Sequence, residues 1–388
     1  MKKFLLCVLS IMLYVSAACG GATEDLLKAV VNENTTPEQI VKLINSGANV
    51  NANDNNGSTA LILAACNNSN PDVIAELIKA GADVNAKNKG FPNGTALYWT
   101  IFNPYKKPDI EVVRVLLNAG ADVNNKDGFG TSILITAVAY SQNPEIIKLL
   151  LDFGADINLK DTSNNYTALM AAAAHESNPE VIRLLLNAGA DINDKDIWGM
   201  NAFIHAVAQN RNPEVIKLLL NAGSNVNVKN KKGQSAKDIA KLNKNPKIQK
   251  MAEIFDYFGN FETVLLNATK ENAKPEAIST IIDLGVNINA KNQNGATALM
   301  MAAANTSYPE VINILANAGI DVNAKTKDGQ TALIYAARFN KNPEVVKTLI
   351  KIGADVKAKD SFFFGKTAKD WAIQSNASQE IIKILEEL

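Results

Sequence analysis

The strongest constraint on the fold is a proline that returns at an almost regular interval. Proline suits the first turn of a helix, where its missing N–H is not needed, and glycine suits the left-handed residue that ends a helix. Ten of the twelve prolines recur at spacings of 29 to 37 residues, clustered near 34, namely Pro37, Pro71, Pro108, Pro144, Pro179, Pro213, Pro246, Pro275, Pro309 and Pro343. A glycine recurs with them, as Gly47, Gly81, Gly120, Gly154, Gly189, Gly223, Gly285, Gly319 and Gly353. Self-similarity at this period predicts a solenoid of stacked helical units.

One clear copy of the unit spans residues 178–199. Asn178 is suited to cap a helix, Pro179 to begin it, and Glu180 to place a negative charge at the positive end of the helix dipole. Gly189 predicts where the helix ends. The apolar residues between these limits predict a buried stripe, namely Val181, Ile182, Leu184, Leu185 and Leu186.

The motifs of this unit resemble a known repeat. Thr-Ala-Leu-Met-Met-Ala-Ala at 297–303, Pro-Glu-Val-Ile at 309–312 and Asn-Ala-Gly-Ile-Asp-Val-Asn-Ala-Lys at 317–325 are similar to an ankyrin repeat. Alanine stands where the family consensus has proline after the threonine. The resemblance covers about residues 23–388. It implies an all-α dominated repeat solenoid, in which about eleven helix-turn-helix pairs are joined by β-hairpin-like loops.

The pattern breaks within residues 233–285. Residues 233–240 match the last unit at 365–372, and both place charges where other units are apolar, as a C-terminal cap requires. The next segment aligns without gaps to the start of the array, with Pro275 over Pro37. We therefore predict two capped arrays, residues 23–258 and 260–388. One continuous array with a kink near Gly259 is the alternative.

The first residues predict export. Lys2 and Lys3 precede an apolar stretch at 4–15 and the small residues 16–18, which is typical of a signal peptide at 1–18. Residues 16–21 also resemble the lipobox of bacterial lipoproteins, although Ser16 stands where that motif has a branched aliphatic residue. The resemblance implies that Cys19 is lipidated and begins the mature chain, while ordinary cleavage that leaves Cys19 free is the alternative. We expect a bacterial protein of the periplasm or a membrane-anchored envelope lipoprotein, with secretion as the alternative.

The sequence carries no motif that indicates a catalytic or metal-binding site. His175 and His205 fall in successive repeats, but a metal site would need further ligands at fixed spacing. We therefore expect no enzyme activity, no cofactor and no metal. The 39 basic and 39 acidic residues balance, which argues against nucleic acid as a partner. Contact with a membrane is expected only through a lipid anchor at Cys19.

Two lysine-rich features receive a structural interpretation. One is a row along the hairpins, which we interpret as solvated and charge-balanced because Asp and Asn stand beside it. The other is the basic segment at 229–250, which we interpret as the solubilising face of a cap. The row consists of Lys87, Lys126, Lys160, Lys195, Lys229, Lys291, Lys325 and Lys359.

A binding surface is expected at positions that vary between units, because the shared positions are needed for the core. The ankyrin resemblance implies that partners bind to the hairpin tips and to the inner-helix face. Aromatic and arginine side chains at these places are frequent hot spots of protein interfaces. The candidates are Trp99, Phe129, Tyr140, Tyr166, Trp198, His205, Tyr335, Arg338, Phe339, Phe362, Phe363 and Phe364.

These expectations together predict a protein–protein interaction module or scaffold that holds one or more proteins. One alternative is a protective or inhibitory factor for a specific envelope enzyme. Another is a surface or secreted factor that meets host proteins. The identity of the partner is not encoded in any motif, because the specificity of such repeats lies in surface detail.

Overall fold

The computed structural model describes residues 21–68, 70–90, 92–103, 106–175, 178–210, 212–258, 263–361 and 365–387. Within these ranges, 22 α-helices form eleven pairs, and no β-strand is present beyond isolated bridges. The first helix of each pair, here called the inner helix, is α1 (Ala22–Val30), α3 (Ala60–Asn67), α5 (Ala96–Ile101), α7 (Ile133–Thr136), α9 (Ala168–Ala174), α11 (Ala202–Gln209), α13 (Ala236–Ala240), α15 (Val264–Lys270), α17 (Ala298–Asn305), α19 (Ala332–Phe339) and α21 (Ala368–Gln374). The second, here called the outer helix, is α2 (Pro37–Asn45), α4 (Pro71–Lys79), α6 (Ile110–Asn118), α8 (Pro144–Asp152), α10 (Pro179–Asn187), α12 (Pro213–Asn221), α14 (Pro246–Met251), α16 (Pro275–Asp283), α18 (Pro309–Asn317), α20 (Pro343–Lys351) and α22 (Gln379–Glu386).

The repeated polar residues begin the helices as expected. Before α9, the hydroxyl of Thr167 accepts a hydrogen bond from the N–H of Met170 at 3.3 Å, which satisfies one of the unpaired donors of the first turn. Before α10, the side chain of Asn178 accepts from the N–H of Glu180 at 3.0 Å, and Pro179 begins the helix. The predicted cap at Asn178 is therefore confirmed.

The end of α10 also follows the prediction. Gly189 has a φ of 87°, and the next amide, that of Ala190, donates to the carbonyl of Leu185 at 3.0 Å. A left-handed glycine ends the helix because a side chain would be strained in that conformation. Val181, Ile182 and Leu185 are fully buried, whereas Leu184 and Leu186 are only partly buried. The buried stripe is narrower than predicted because one face of a helix covers only part of each turn.

Asparagines in the hairpin loops tie each repeat to the next. The side chain of Asn124 donates to the carbonyl of Gly154 at 3.1 Å and accepts from the N–H of Asp156 at 2.7 Å. Asn323 makes the same two bonds to Gly353 and Asp355, at 3.0 and 2.8 Å. The bonds give the recurring Asn a structural role between repeats, because it satisfies groups that the end of an outer helix leaves unpaired.

The chain divides into two compact units, Met1–Leu218 and Leu219–Leu388, and the border lies within α12. In the first unit, inner helices pack on the inner helices of adjacent repeats, as α3 does on α5 and α9 does on α11. In the second unit, α17 and α19 pack in the same way. The predicted border of the arrays at 259–260 lies outside the described residues, so the division into residues 23–258 and 260–388 stays a prediction.

The two matching cap segments, at 233–240 and 365–372, share a local structure. Ser235 with Asp238, and Thr367 with Asp370, each form a reciprocal capping box at the start of an inner helix. The hydroxyl of Ser235 lowers the pKa of Asp238, and the amide and hydroxyl of Thr367 lower the pKa of Asp370, because a carboxylate is the better acceptor. Across the described ranges, no helix has the length and hydrophobicity that crossing a bilayer requires.

Candidate protein-interaction surface

The predicted binding residues fall into three groups. Four are exposed: Tyr140 at 64%, Phe339 at 50%, Trp198 at 46% and Phe129 at 39%. Three are half-buried, namely Tyr166, Tyr335 and Arg338. Trp99 and His205 are both only 2% exposed. Cys19, Phe362, Phe363 and Phe364 lie outside the described residues.

Trp99 is a packing residue and not a contact residue, which corrects the prediction. It lies in α5, with its ring edge-on to Tyr98 at 5.6 Å between centroids and its indole N–H 3.5 Å from the Oδ1 of Asn88. Gly94 leaves room for these rings, because a Cβ at that position would lie 2.3 Å from the ring of Tyr98. The indole is enclosed because the longer hairpin of this repeat folds back over its own inner helix.

His205 is also internal, which corrects a second prediction. Its Nε2 lies 2.8 Å from the Oδ2 of Asp196, and both side chains are buried. The other carboxylate oxygen of Asp196 accepts from the amides of Trp198 and Met200, each at 2.9 Å. Burial lowers the pKa of His205 and outweighs the opposing effect of Asp196. The pair therefore fixes the hairpin that presents Trp198.

A common rule explains both corrections. Trp99, His205 and Trp371 each lie four residues after the N-cap of their inner helix, and each faces an Asp or Asn in the hairpin of the same repeat. The third case is the N–H of Trp371, which donates to the Oδ2 of Asp360 at 2.6 Å. The sequence signal for such a pair is an Asp or Asn nine to eleven residues before a ring that carries a nitrogen. The sequence analysis did not find this pair, because Asp and Asn are common in turns and aromatic rings are common in helices, so neither residue indicates the other.

The lysine row is not simply solvated. The ammonium groups of Lys87 and Lys126 donate to the backbone carbonyls of Lys126 and Lys160, at 3.0 and 2.8 Å. Lys160 pairs with Asp194 of the next repeat at 2.7 Å. These three lysines therefore connect successive hairpins, which makes the row in part a structural feature of the first unit.

In the first unit, Tyr140 is the most exposed of the predicted binding residues. Its ring meets that of Phe102 from the preceding repeat edge-on, with 4.6 Å between centroids. The chain around it, Ala137–Ser141, forms a π-helical turn that continues α7. Partial burial, with the nearby carboxylate of Asp127, raises the pKa of the Tyr140 hydroxyl, so the phenol stays neutral at physiological pH.

Two hairpins of the same unit add exposed side chains. Phe129 and Trp198 occupy loop tips, and Ile197 beside Trp198 is 37% exposed. Tyr166 is half-buried in the preceding hairpin. Its ring packs edge-on against that of His205 at 5.0 Å between centroids, and its hydroxyl donates to the carbonyl of Met170 at 3.3 Å. The sequence did not single out Ile197, since an isolated isoleucine is most often a core residue.

In the second unit, an arginine lies over two aromatic rings. The guanidinium carbon of Arg338 lies 4.1 Å from the ring centre of Trp371 and 4.7 Å from that of Phe339. The ammonium of Lys366 lies 4.7 Å from the same indole ring. We call Arg338, Phe339, Lys366 and Trp371 the stacked-arginine surface. Trp371 and Lys366 were not among the predicted residues, because only the fold brings α19 and α21 side by side.

The described residues show no grouping suited to metal chemistry. No cluster of three or more His, Cys, Asp or Glu side chains within them could hold a metal ion. His175 is exposed, in contrast to the buried His205. Burial raises the pKa of the Cys66 thiol to about 12, so this cysteine stays protonated.

The repeat architecture agrees with a known family. The sequence model of ankyrin repeats (3 copies) matches residues 26–127, 105–196, 134–230, 235–326, 265–360 and 324–387. The chain belongs to the ankyrin-repeat family. Members of this family are generally binding modules rather than enzymes, and their repeats are protein–protein interaction modules.

Other comparisons add little to this ankyrin-repeat assignment. A similar solved structure is the crystal structure of the ankyrin repeat domain of Bcl-3, described as a unique member of the IkappaB protein family. The two share 25% identity with a TM-score of 0.47, over 55% of this chain and 92% of that one. No curated protein sequence matches this ankyrin-repeat chain significantly.

Proposed function

We propose that this chain is a non-enzymatic protein–protein interaction module that is exported to the bacterial envelope. The observation that carries the proposal is the set of exposed aromatic side chains at the inner-helix ends and hairpin tips, namely Tyr140, Phe339, Trp198 and Phe129. Scattered exposed apolar residues are ordinary, but exposed Tyr, Trp and Phe side chains at the inner-helix ends and hairpin tips of a repeat array are the residue types that anchor interfaces.

Crosslinking in the native envelope, followed by affinity purification of the tagged full-length chain and mass spectrometry, tests the binding function. We expect one dominant protein, whose recovery falls by about tenfold or more when Tyr140 and Trp198 are both replaced by Ala, because anchoring aromatic residues contribute about 2 kcal/mol or more. Phe153→Ala is the matched control, because Phe153 is a comparably exposed aromatic residue at the end of outer helix α8. Equal recovery with all variants would place the binding surface elsewhere.

Export is supported by the sequence of residues 1–19 alone. We propose that the signal peptide is removed and that two acyl chains at Cys19 anchor the mature protein, because a single chain binds membranes only marginally. Cys19→Ser should move the protein from the membrane fraction of the envelope to the soluble fraction. Retention in the cytoplasm of the unmodified protein would contradict the export.

A further inference from the structure

The stacked-arginine surface holds a cation that has no anionic partner among the described residues. The guanidinium carbon of Arg338 lies over two rings, 4.1 Å from the ring centre of Trp371 and 4.7 Å from that of Phe339. In the part of the chain that the structure describes, Arg338 forms no ion pair. A guanidinium stacked on rings keeps its N–H donors in its own plane, at the edges, where they can meet a carboxylate with two parallel hydrogen bonds.

Lys366 gives the same surface a second positive charge. Its ammonium lies over the indole of Trp371, and its hydrogen-bond partner is the neutral side chain of Gln374. Because Gln374 carries no charge, the charge of Lys366 is not cancelled at this contact. Two cations therefore share one aromatic ring.

The carboxylate of the hairpin that precedes Trp371 is already enclosed. Asp360 is only 6% exposed, and it accepts hydrogen bonds from the indole N–H of Trp371 and the amide of Lys366, at 2.6 and 2.8 Å. It orients the indole ring from the loop side. Asp328 is exposed near Tyr335 at the hairpin tip, and it pairs with neither cation. The face that meets solvent therefore has a positive balance.

Apolar area lies beside these charges. Phe339, whose ring centre lies 4.7 Å from the guanidinium carbon of Arg338, is 50% exposed. An apolar side chain of a partner would remove this area from water, and the removal of water would strengthen a charge pair formed next to it. The surface thus offers a carboxylate site and an apolar contact next to each other.

We propose that the stacked-arginine surface binds a protein segment that carries an Asp or Glu next to an apolar residue. This inference rests on the proposed binding function and names the chemistry of the partner. A protein segment is favoured over a nucleic acid because single strands need a positively charged groove along several phosphates. This surface has two cations, and the whole chain has no net charge.

A display selection tests the partner chemistry without knowledge of the natural partner. A library of random short peptides is selected on the full-length chain and, in parallel, on Arg338→Gln, Arg338→Lys and Arg183→Gln. Arg183→Gln is the matched control, because it removes an equally charged side chain from an outer helix, where Arg183 pairs with Glu180 and Glu214. Circular dichroism melting curves establish that each variant is folded.

We expect peptides recovered by the unchanged protein and by Arg183→Gln to be enriched in Asp and Glu next to apolar residues. Arg338→Gln should lose this enrichment, and a recovered peptide should bind it about tenfold more weakly, because one partner of a close charge pair is removed. Arg338→Lys should give a partial loss, because the charge remains while the planar stack and the paired donors do not.

The results that would overturn the inference are distinct from those that would overturn the proposed function. Recovery of apolar peptides without acidic residues, dependent on Phe339, would leave the binding function standing and remove the acidic preference. Acidic enrichment that survives Arg338→Gln would also remove the assignment to this surface. Tighter binding of a single-stranded oligonucleotide than of any peptide would make the partner a nucleic acid. Absence of any enrichment would contradict both proposals.

Discussion

Equivalent positions in the two units carry different chemistry. Tyr140 in the first unit and Phe339 in the second both lie eight residues after the N-cap of their inner helix, and both are exposed. Tyr140 is accompanied by Phe102 and by the carboxylate of Asp127, whereas Phe339 is accompanied by the cation of Arg338. The repeat can vary its recognition groups at this position because other residues hold the helices together.

The residue that follows this exposed position shows what holds the helices of adjacent repeats together. Asn340 in the second unit donates to the carbonyls of Ala303 and Thr306 in the preceding repeat, at 2.8 and 3.1 Å. Its counterpart in the first unit is Ser141, whose hydroxyl accepts only from the nearby amide of Asn143, at 3.4 Å. The shorter side chain does not make the bonds to the preceding repeat, and the chain there ends in a π-helical turn.

The two units also differ at the fourth residue after the N-cap of the inner helix. His205 in the first unit is buried against Asp196, but Tyr335 in the second unit is half-buried. The hairpin of that repeat has Thr326 at the corresponding place, and its hydroxyl accepts from the amide of Gln330 at 3.1 Å. A ring at this position is therefore enclosed where the loop supplies an acidic or amide side chain as its partner.

The largest expected effect comes from removing the inter-repeat bonds of Asn340. Asn340→Ala should lower the free energy of unfolding of this region by about 3 kcal/mol, because two carbonyls and the amide of Asn342 lose their partner in a buried place. Urea denaturation, with amide hydrogen exchange of α17 and α19, measures the change. Asn305→Ala is the control, since Asn305 is exposed and its side chain bonds only to Met301 of its own helix. If the two substitutions lowered the stability equally, the bonds of Asn340 to the preceding repeat would not be what holds these helices together.

The second effect is a pH dependence confined to His205. Its pKa in the folded chain lies below its ordinary value of 6.5, so the unfolded chain binds more protons in the window below that value. Stability should therefore be full above about pH 6.5 and decrease on acidification, by at most about 1.4 kcal/mol per pH unit. Melting temperatures across this window should show a slope that His205→Gln flattens.

The exposed histidine provides the matched control for this slope. His175→Gln removes the other histidine of the chain, which is solvent-exposed. The slope should persist in this variant. If both substitutions flatten the curve equally, or if the His205→Gln curve keeps its slope, the assignment of the pH dependence to the buried pair is wrong.

The smallest expected effect is a gain in the stability of the first unit. Ser141→Asn introduces the side chain that makes the bonds to the preceding repeat elsewhere in the array. It should stabilise the first unit by about 0.5–1 kcal/mol, the net contribution of an added hydrogen bond. Ser141→Ala serves as the control and should be nearly neutral. A destabilised Asn variant would mean that the π-helical turn is set by the packing of Tyr140 and not by the missing asparagine.

The sequence predicted the scaffold well for a physical reason. The caps, the first-turn prolines and the left-handed glycines act through the backbone within a few residues, as at Asn178, Pro179 and Gly189, so their effect can be inferred locally. Repetition then multiplied a weak local signal over eleven helix pairs. The exposed aromatic residues Tyr140, Trp198 and Phe339 were found because they depart from that repeating pattern.

Only the tertiary structure decided which of the predicted aromatic side chains are exposed to a partner and which are enclosed. Trp99 and His205 are enclosed because a loop residue of their own repeat reaches back to them, and neither the loop path nor the pairing is visible in the order of residues. Arg338 is stacked because the next repeat places Trp371 beside it. The sequence determined by itself that this chain is an array of helix pairs, because caps and periodicity act over short distances. The exposure and stacking of the candidate binding residues depend on contacts between residues more than thirty positions apart, such as Arg338 and Trp371, which only the folded chain brings together.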